Sequence, residues 1–161
     1  MESPVRMGKE RAKELLSEVD SSISRLQPDK VLQAVVKVLT GIPSYSWVGI
    51  YLRERNDLVL ETWSGPQATV HVRIPIGKGI CGWAAKSGRT EIVSDVTKDP
   101  RYLQCFASTK SEIVVPILRE GTVIGEIDVD GETLNAYSSV DRDFLEAVAR
   151  KIAPFCNKAR P

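Results

Sequence analysis

Two strand-like segments joined by a turn of only three residues constrain this chain more than any other feature of its sequence. The segments SEIVVPIL (111–118) and TVIGEIDVDG (122–131) flank the turn REG. Strands joined by so short a turn pair antiparallel, because a parallel pair needs a long crossover connection. YSWVGIYLR and DLVLETWSG predict a second hairpin across RERND, and TVHVRIPI and TEIVSDV predict one further strand each. We therefore expect a central antiparallel sheet of about six strands.

Segments with helical periodicity stand on both sides of the predicted strands. Apolar residues recur every three or four positions in the stretches 8–24, 28–41 and 138–152. Helices at the ends of a run of hairpins predict the α+β class, with the N- and C-terminal helices packed on one face of the sheet. The sequence contains no linker and no repeat, so we expect a single domain over 1–161. Within it, 1–24 would form an N-terminal helix that frays at its start or makes dimer contacts.

The charge balance and the cysteine content limit the class of protein. The chain carries 22 Lys and Arg against 21 Asp and Glu, a net charge of +1, which gives no electrostatic reason to expect a nucleic acid or a membrane as partner. No apolar run approaches the ~20 residues of a membrane span, and the start lacks the apolar core of a signal peptide. We expect a cytoplasmic protein whose three cysteines are reduced by default, so that any disulfide would be catalytic or redox-sensing.

The three cysteines stand in different settings. Cys156 lies four residues after Ile152 on the apolar face of the last helix and is interpreted as part of the core. Cys81 falls about one turn into the short helix that GKGICGWAAKSG predicts, where the helix N-terminus lowers the pKa of a thiol; a small side chain packed under the helix is the other interpretation. Cys105 lies in a loop without apolar periodicity, so we expect it to be exposed or held at a site.

Carboxylates share one face of the last predicted strand. Glu126, Asp128 and Asp130 alternate along it, and Glu112 opens the neighbouring strand. By itself this pattern favours a solvated strand face. The alternative is an acidic pocket, in which repulsion leaves one carboxyl protonated and able to donate its proton, while ionised carboxylates hold an ammonium group.

Two aromatic residues and the single histidine complete the set of candidates. Trp47 and Tyr51 share a face of a predicted strand, where they either fill the core or line a pocket for an apolar or cationic group. One His, three scattered Cys and no Cys-x-x-Cys pair give a poor metal signature, although His71, Cys81 and Cys105 could meet in space. GKGICG lacks the spacing of either nucleotide fingerprint. We expect no metal and no cofactor.

Four segments, in this order and spacing, resemble the GAF-fold free methionine-R-sulfoxide reductases: IPIGKGICGWAA, SDVTKDPRYLQC, KSEIVVPI and GTVIGEIDVDGE. The resemblance runs from about Tyr45 to the end of the chain. Generic GAF domains share the fold but lack both the cysteine before SEIVVP and the paired aspartates in DVD. The resemblance implies a single GAF domain that reduces free L-methionine-R-sulfoxide to methionine.

The resemblance also implies a role for each matching residue. Cys105 corresponds to the catalytic cysteine and forms a sulfenic acid, which Cys81 resolves as a disulfide that a thioredoxin-type dithiol reopens. Glu112 and Asp130 join the catalytic set as candidate proton donors. The residues implied to line the substrate pocket are Trp47, Tyr51, Glu112, Asp128 and Asp130. Where many members carry a further cysteine this chain has His71, so recycling would rest on Cys81 or on an outside thiol.

Three other readings stay open. A non-catalytic GAF sensor would bind a small amino-acid-like ligand and would not need its cysteines. A redox sensor would form a Cys81–Cys105 disulfide with peroxide and would not need a sulfoxide. The third is a structural dimer module: GAF domains often pair through their terminal helices, so we expect a homodimer, but this pairing says nothing about the chemistry.

Overall fold

The structure of the protein is a computed structural model that describes residues 6–161. The predicted start of the N-terminal helix at residues 1–5 lies outside the described residues. The sheet has six strands in the order β3-β2-β1-β6-β5-β4, and all neighbouring strands pair antiparallel. Their bounds are β1 Trp47–Glu54, β2 Asp57–Ser64, β3 Arg73–Pro75, β4 Glu91–Val93, β5 Ser111–Arg119 and β6 Thr122–Gly131. The predicted α+β class and the six-stranded antiparallel sheet are therefore confirmed.

Four helices accompany the sheet: α1 Lys9–Arg25, α2 Val31–Thr40, α3 Gly79–Ser87 and α4 Ser139–Ile152. Helices α1, α2 and α4 pack together on one face of the sheet, as predicted for the terminal helices. Helix α3 packs on the opposite face, against β3, β5 and β6. No helix among residues 6–161 is long and apolar enough to cross a membrane.

Alternation along the strands divides the interior into two separate cores. On β1, Val48 and Ile50 point to α1, α2 and α4, and they pair across the sheet with Val129 and Ile127 of β6. The residues between them point to α3 and its neighbouring loops. Each central strand therefore contributes one set of side chains to a largely apolar core under α1, α2 and α4, and another set to the α3 face.

The turn between β5 and β6 has the geometry that the sequence predicts. Glu120 and Gly121 have positive φ angles of 50° and 80°. Two consecutive left-handed residues form a hairpin turn whose twist matches that of the flanking strands. This turn fixes the pairing of β5 with β6, and with it the positions of the carboxyl side chains on both strands.

The prediction of a strand over TVHVRIPI is wrong for its first half, since only Arg73–Pro75 form a strand. Residues 69–72 form a loop instead. The carbonyl of His71 accepts a hydrogen bond from the Tyr51 phenol at 2.8 Å rather than from a neighbouring strand. Val70 and Val72 are exposed, so the alternation in this stretch does not bury its apolar residues.

Candidate active site

Strand register brings the predicted acidic and aromatic residues together on the α3 face. Asp130 of β6 lies between Trp47 of β1 and Glu112 of β5 as their direct pairing partner. Asp128, two residues before Asp130 on β6, pairs with Gly49 of β1. Glu126, two residues before Asp128, pairs with Tyr51. The antiparallel register thus assembles four carboxyls and two aromatic rings from residues that lie far apart in sequence.

The four carboxyls are buried, so the solvated strand face favoured by the sequence pattern is wrong. Glu126, Asp128, Asp130 and Glu112 are between 0% and 4% exposed. Both oxygens of Glu126, one of Asp128 and one of Asp130 have no hydrogen-bond partner. No lysine, arginine or histidine among residues 6–161 forms an ion pair with any of the four. Buried carboxyls without partners are rare, because each carries a large desolvation penalty.

Burial raises the pKa of all four carboxyls, and hydrogen bonds decide which of them ionises first. Burial is the main cause that raises the pKa of Glu112, Glu126 and Asp130 well above their ordinary values, and the charge of Asp128 raises them further. Burial also raises the pKa of Asp128, but hydrogen bonds from Glu112 and Cys81 oppose that rise. Asp128 is therefore the carboxyl of the cluster that ionises most readily, and its three neighbours keep their protons to higher pH than Asp128 does.

Trp47 forms one wall of the site, and two glycines make room for it. A Cβ atom at Gly49 or at Gly65 would collide with the Trp47 indole. The indole Nε1 donates to the carbonyl of Gln67 at 3.1 Å. Its ring stacks on Trp63 with centroids 6.3 Å apart and contacts Phe106 at 5.6 Å. The tryptophan is thereby held flat across β1, beside Asp130.

Cys81 lies in the first turn of α3, as predicted, but its thiol is not activated. The side chain is 6% exposed, and Sγ donates to Glu112 Oε1 at 3.8 Å. Burial raises the pKa of the thiol well above its ordinary value, and the charges of Asp128, Glu126 and Glu112 add to this. The prediction that the helix N-terminus lowers the pKa of Cys81 is therefore wrong, because burial beside carboxyls outweighs the dipole of a nine-residue helix.

Cys105 lies on the loop between the short helical turn Val96–Lys98 and β5, and it is half-buried. Its Sγ donates to the carbonyl of Leu103 at 3.7 Å. Burial, followed by the charges of Asp128 and Asp130, raises the pKa of the thiol to about 12. Of the two thiols, Cys105 is the one that solvent reaches.

Both thiols line one narrow cavity of about 10 Å³, room for a single water molecule. The cavity is lined by His71, Ile74, Lys78, Gly79, Ile80, Cys81, Leu103, Cys105 and Glu112. A second cavity of similar size lies beside Trp47, Phe106 and Asp130. A larger cavity of about 530 Å³ lies between α4 and the segment after α3, but neither thiol nor any of the four carboxyls lines it.

Two contacts that sequence reasoning missed hold the Cys105 loop in place. The ring Nε2 of His71 lies 3.0 Å from the carbonyl of Gln104, next to Cys105, and the His71 carbonyl accepts a hydrogen bond from Tyr51. Phe106, which follows Cys105, packs on Trp47. The sequence had indicated that His71 could meet Cys81 and Cys105, and all three line one cavity, but nothing in the sequence indicated what the ring of His71 contacts.

Comparisons with known proteins identify the family to which this chain belongs. The family model described as GAF domain matches residues 28–155. The free methionine-R-sulfoxide reductase of Saccharomyces cerevisiae is 40% identical over 115 residues, which are 69% of this chain and 63% of that protein.

Two solved structures extend the similarity over more of the chain. The free methionine-R-sulfoxide reductase of Neisseria meningitidis, solved in complex with its substrate, is 30% identical with a TM-score of 0.85, over 98% of this chain and 96% of that one. A type II free methionine-R-sulfoxide reductase from Thermoplasma acidophilum is 38% identical with a TM-score of 0.79, over 82% and 94%. The chain therefore belongs to the GAF domain family and groups with the free methionine-R-sulfoxide reductases within it.

Proposed function

We propose that this protein reduces free methionine-R-sulfoxide to methionine, with Cys105 as the nucleophile and Cys81 as the resolving thiol. The observation that carries the proposal is the cavity that both thiols share with Glu112, above a cluster of buried carboxyls. The relatives with this fold that are named as free methionine-R-sulfoxide reductases support the same substrate.

The carboxyl cluster explains a preference for a free amino acid. Asp128, the carboxyl that ionises most readily, is the anion that would hold the substrate ammonium group. A methionine sulfoxide inside a polypeptide has an amide in place of that ammonium group and would leave Asp128 without a cation. The flat indole of Trp47, two residues from Gly49 on β1, offers an apolar surface to the substrate methyl group.

The first chemical step forms a bond between Cys105 and the sulfoxide sulfur. Because burial and Asp128 keep the thiol protonated in the free protein, substrate ammonium must neutralise Asp128 before a thiolate forms. Burial raises the pKa of Glu112 and of Asp130 well above the ordinary value, which favours their protonated forms, and either carboxyl would supply a proton to the sulfoxide oxygen. The substrate S–O bond and the bond between the two sulfurs then break, oxygen passes to Cys105 as a sulfenic acid, and the substrate sulfur keeps two electrons and leaves as methionine.

The second step uses Cys81. Its thiol displaces water from the Cys105 sulfenic acid and forms a disulfide, so the net reaction converts one sulfoxide and two thiols into methionine, a disulfide and water. An external dithiol of the thioredoxin type then attacks the more exposed sulfur, Cys105, and restores both thiols. The buried, protonated state of Cys81 suits this role, because it does not compete for the substrate.

The proposal also covers the cellular compartment and the oligomeric state of the enzyme. Free cysteines at 81, 105 and 156 support a reducing compartment, the cytoplasm. The exposed outer side of α1 supports a homodimer through the terminal helices. The alternative of a peroxide sensor has less support, since sensor thiols have low pKa values and the pKa of Cys105 is about 12.

The test is methionine release from free L-methionine-R-sulfoxide, with dithiothreitol and separately with a thioredoxin system. The S epimer and an N-acetylated substrate run beside it. Cys105→Ser should abolish release, Cys81→Ser should still release one equivalent of methionine, and Cys156→Ser is the matched control that keeps turnover. A stoichiometric burst of methionine from Cys105→Ser protein would overturn the assignment of the nucleophile.

A further inference from the structure

The geometry points to a second ligand for the carboxyl cluster, a zinc-class divalent cation held by Cys81, Glu112 and Asp128. This cation would occupy the reduced protein and exclude the substrate. Binding needs only the geometry of the described residues, whereas the exclusion of substrate rests on the function proposed above.

The three donor side chains already lie at nearly the separations that such an ion requires. A ligand atom of each, the Cys81 sulfur and one oxygen each of Glu112 and Asp128, lies within 4.8 Å of the other two. The Cys81 sulfur and Glu112 Oε1 are 3.8 Å apart. A tetrahedral Zn²⁺ binds sulfur at about 2.3 Å and oxygen at about 2.0 Å, which places two ligands roughly 3.5 Å apart. Small side-chain movements are enough to bring all three onto one ion.

A separate observation also points to a cation. Asp128 Oδ1, Asp130 Oδ2 and both oxygens of Glu126 have no hydrogen-bond partner, and their residues are 0% to 3% exposed. Asp128 is one of the three proposed ligands, so a cation bound there would give its carboxylate the partner that Oδ1 lacks. Cys105 lines the same cavity as Cys81 but is not one of the three ligands.

The mixture of donors selects the class of ion. Mg²⁺ and Ca²⁺ take oxygen ligands, whereas a site with a thiol and carboxyls suits Zn²⁺ and its close substitutes. Formation of the S–Zn bond releases the thiol proton of Cys81 to solvent, and no electron is transferred. A Cys81–Cys105 disulfide removes the sulfur ligand, so the oxidised protein loses the site.

Cobalt titration tests the binding. Co²⁺ substitutes for Zn²⁺, and a thiolate bound to it gives a charge-transfer absorption in the near ultraviolet. We expect one equivalent of Co²⁺ to produce this absorption in the reduced full-length protein and Zn²⁺ to displace it. Cys81→Ser and Asp128→Asn should each abolish it, and Cys156→Ala, which removes a thiol outside the cluster, should retain it. Thermal unfolding followed by circular dichroism confirms that every variant is folded.

Three results would overturn the inference: no charge-transfer absorption in the folded wild-type protein, the same absorption in Cys81→Ser, or the same absorption in the disulfide form. The exclusion of substrate is measured separately, as a rise in KM for methionine sulfoxide with added Zn²⁺ that a chelator reverses. A protein that binds Co²⁺ through Cys81 but stays inactive after a chelator has removed the metal would contradict the reductase proposal alone. An active protein that shows no cobalt thiolate absorption would contradict the metal site alone.

Discussion

The two faces of the central sheet are built from the same strands but have opposite physical character. On the side of α1, α2 and α4, residues such as Val48, Ile127 and Val129 form an apolar core with exposures near zero. On the side of α3, Asp128 and its neighbours are equally buried, yet several of their oxygens have no partner. The comparison teaches that burial alone does not identify a core. Burial of apolar side chains on the first face increases the free energy of unfolding. Burial of carboxyls on the second face decreases it, and leaves polar groups available to bind a ligand.

The largest effect is expected when a carboxylate is introduced on the face of the sheet that α1, α2 and α4 cover. Ile127→Asp places an unpaired acid on the face covered by α1, α2 and α4, where Ile127 is fully buried. We expect a loss of about 3–5 kcal/mol or more in the free energy of unfolding, a large part of the total for a domain of this size. Urea unfolding measures it. An Ile127→Asp protein as stable as wild type would show that the two faces do not differ as described.

The adjacent residue should respond in the opposite way. Asp128→Asn removes the most readily ionised carboxyl from the α3 face, so the midpoint of thermal unfolding should stay the same or rise. Activity should fall by roughly 30-fold or more, since loss of one partner from a buried charge pair costs about 2–5 kcal/mol. Steady-state kinetics should show most of the change in KM for methionine sulfoxide. If Asp128→Asn kept the KM and kcat of the wild type, Asp128 would not bind the substrate.

The charge of Asp128 should also be visible in the reactivity of Cys105. Asp128→Asn takes away an anion that raises the pKa of the thiol to about 12, so the pKa should fall and the thiolate fraction at neutral pH should increase. Alkylation of Cys105 should accelerate by ~10-fold for each unit of decrease in pKa. The rate is measured by mass spectrometry in a background without Cys81 and Cys156. Asp130→Asn is the matched control with a smaller effect, because the charge of Asp130 raises the pKa of Cys105 less than the charge of Asp128 does; a larger effect in Asp130→Asn would reverse this order.

The smallest effect concerns stability and pH. The folded-state pKa of Glu126 lies well above the ordinary 4.5. Between these two values the native state binds more protons than the unfolded state, so the contribution of Glu126 to stability is greatest at low pH and is lost as pH rises. Glu126→Gln should therefore match wild type near pH 4 and become the more stable protein toward neutral pH. Urea unfolding across that range measures the difference, and a constant difference would contradict the raised pKa.

The fold was largely predictable because its signals are local. The turn at Glu120 and Gly121, the apolar periodicity of α1, α2 and α4, and the alternation in β6 each follow from neighbouring residues. The exception is the stretch 69–72, where alternation predicted a strand but the Tyr51 phenol takes the carbonyl of His71. That bond joins residues 20 positions apart, and no local pattern contains it.

The sequence predicted which residues form the site, but it did not predict their burial or the direction in which their pKa values shift. Period-two spacing placed Glu126, Asp128 and Asp130 on one face, and the structure brings them beside Trp47 and Glu112. Whether that face is wet or dry depends on how α3 and the Cys105 loop cover it, which is a property of the whole fold. For the same reason the helix position of Cys81 predicted a lowered pKa, and burial reversed it.

The Cys105 loop lines two cavities of about 10 Å³ each, so a ligand larger than water needs this loop to move, and this affects the affinity that is measured. If only a fraction of molecules has the loop displaced at any time, the apparent dissociation constant equals the intrinsic one divided by that fraction. Phe106 stabilises the arrangement seen here by packing on Trp47 with ring centroids 5.6 Å apart. A change that weakens this packing therefore tightens apparent affinity without touching the ligand. The affinity of this protein for a ligand therefore depends on the fraction of molecules with the loop displaced as well as on the contacts that the ligand makes.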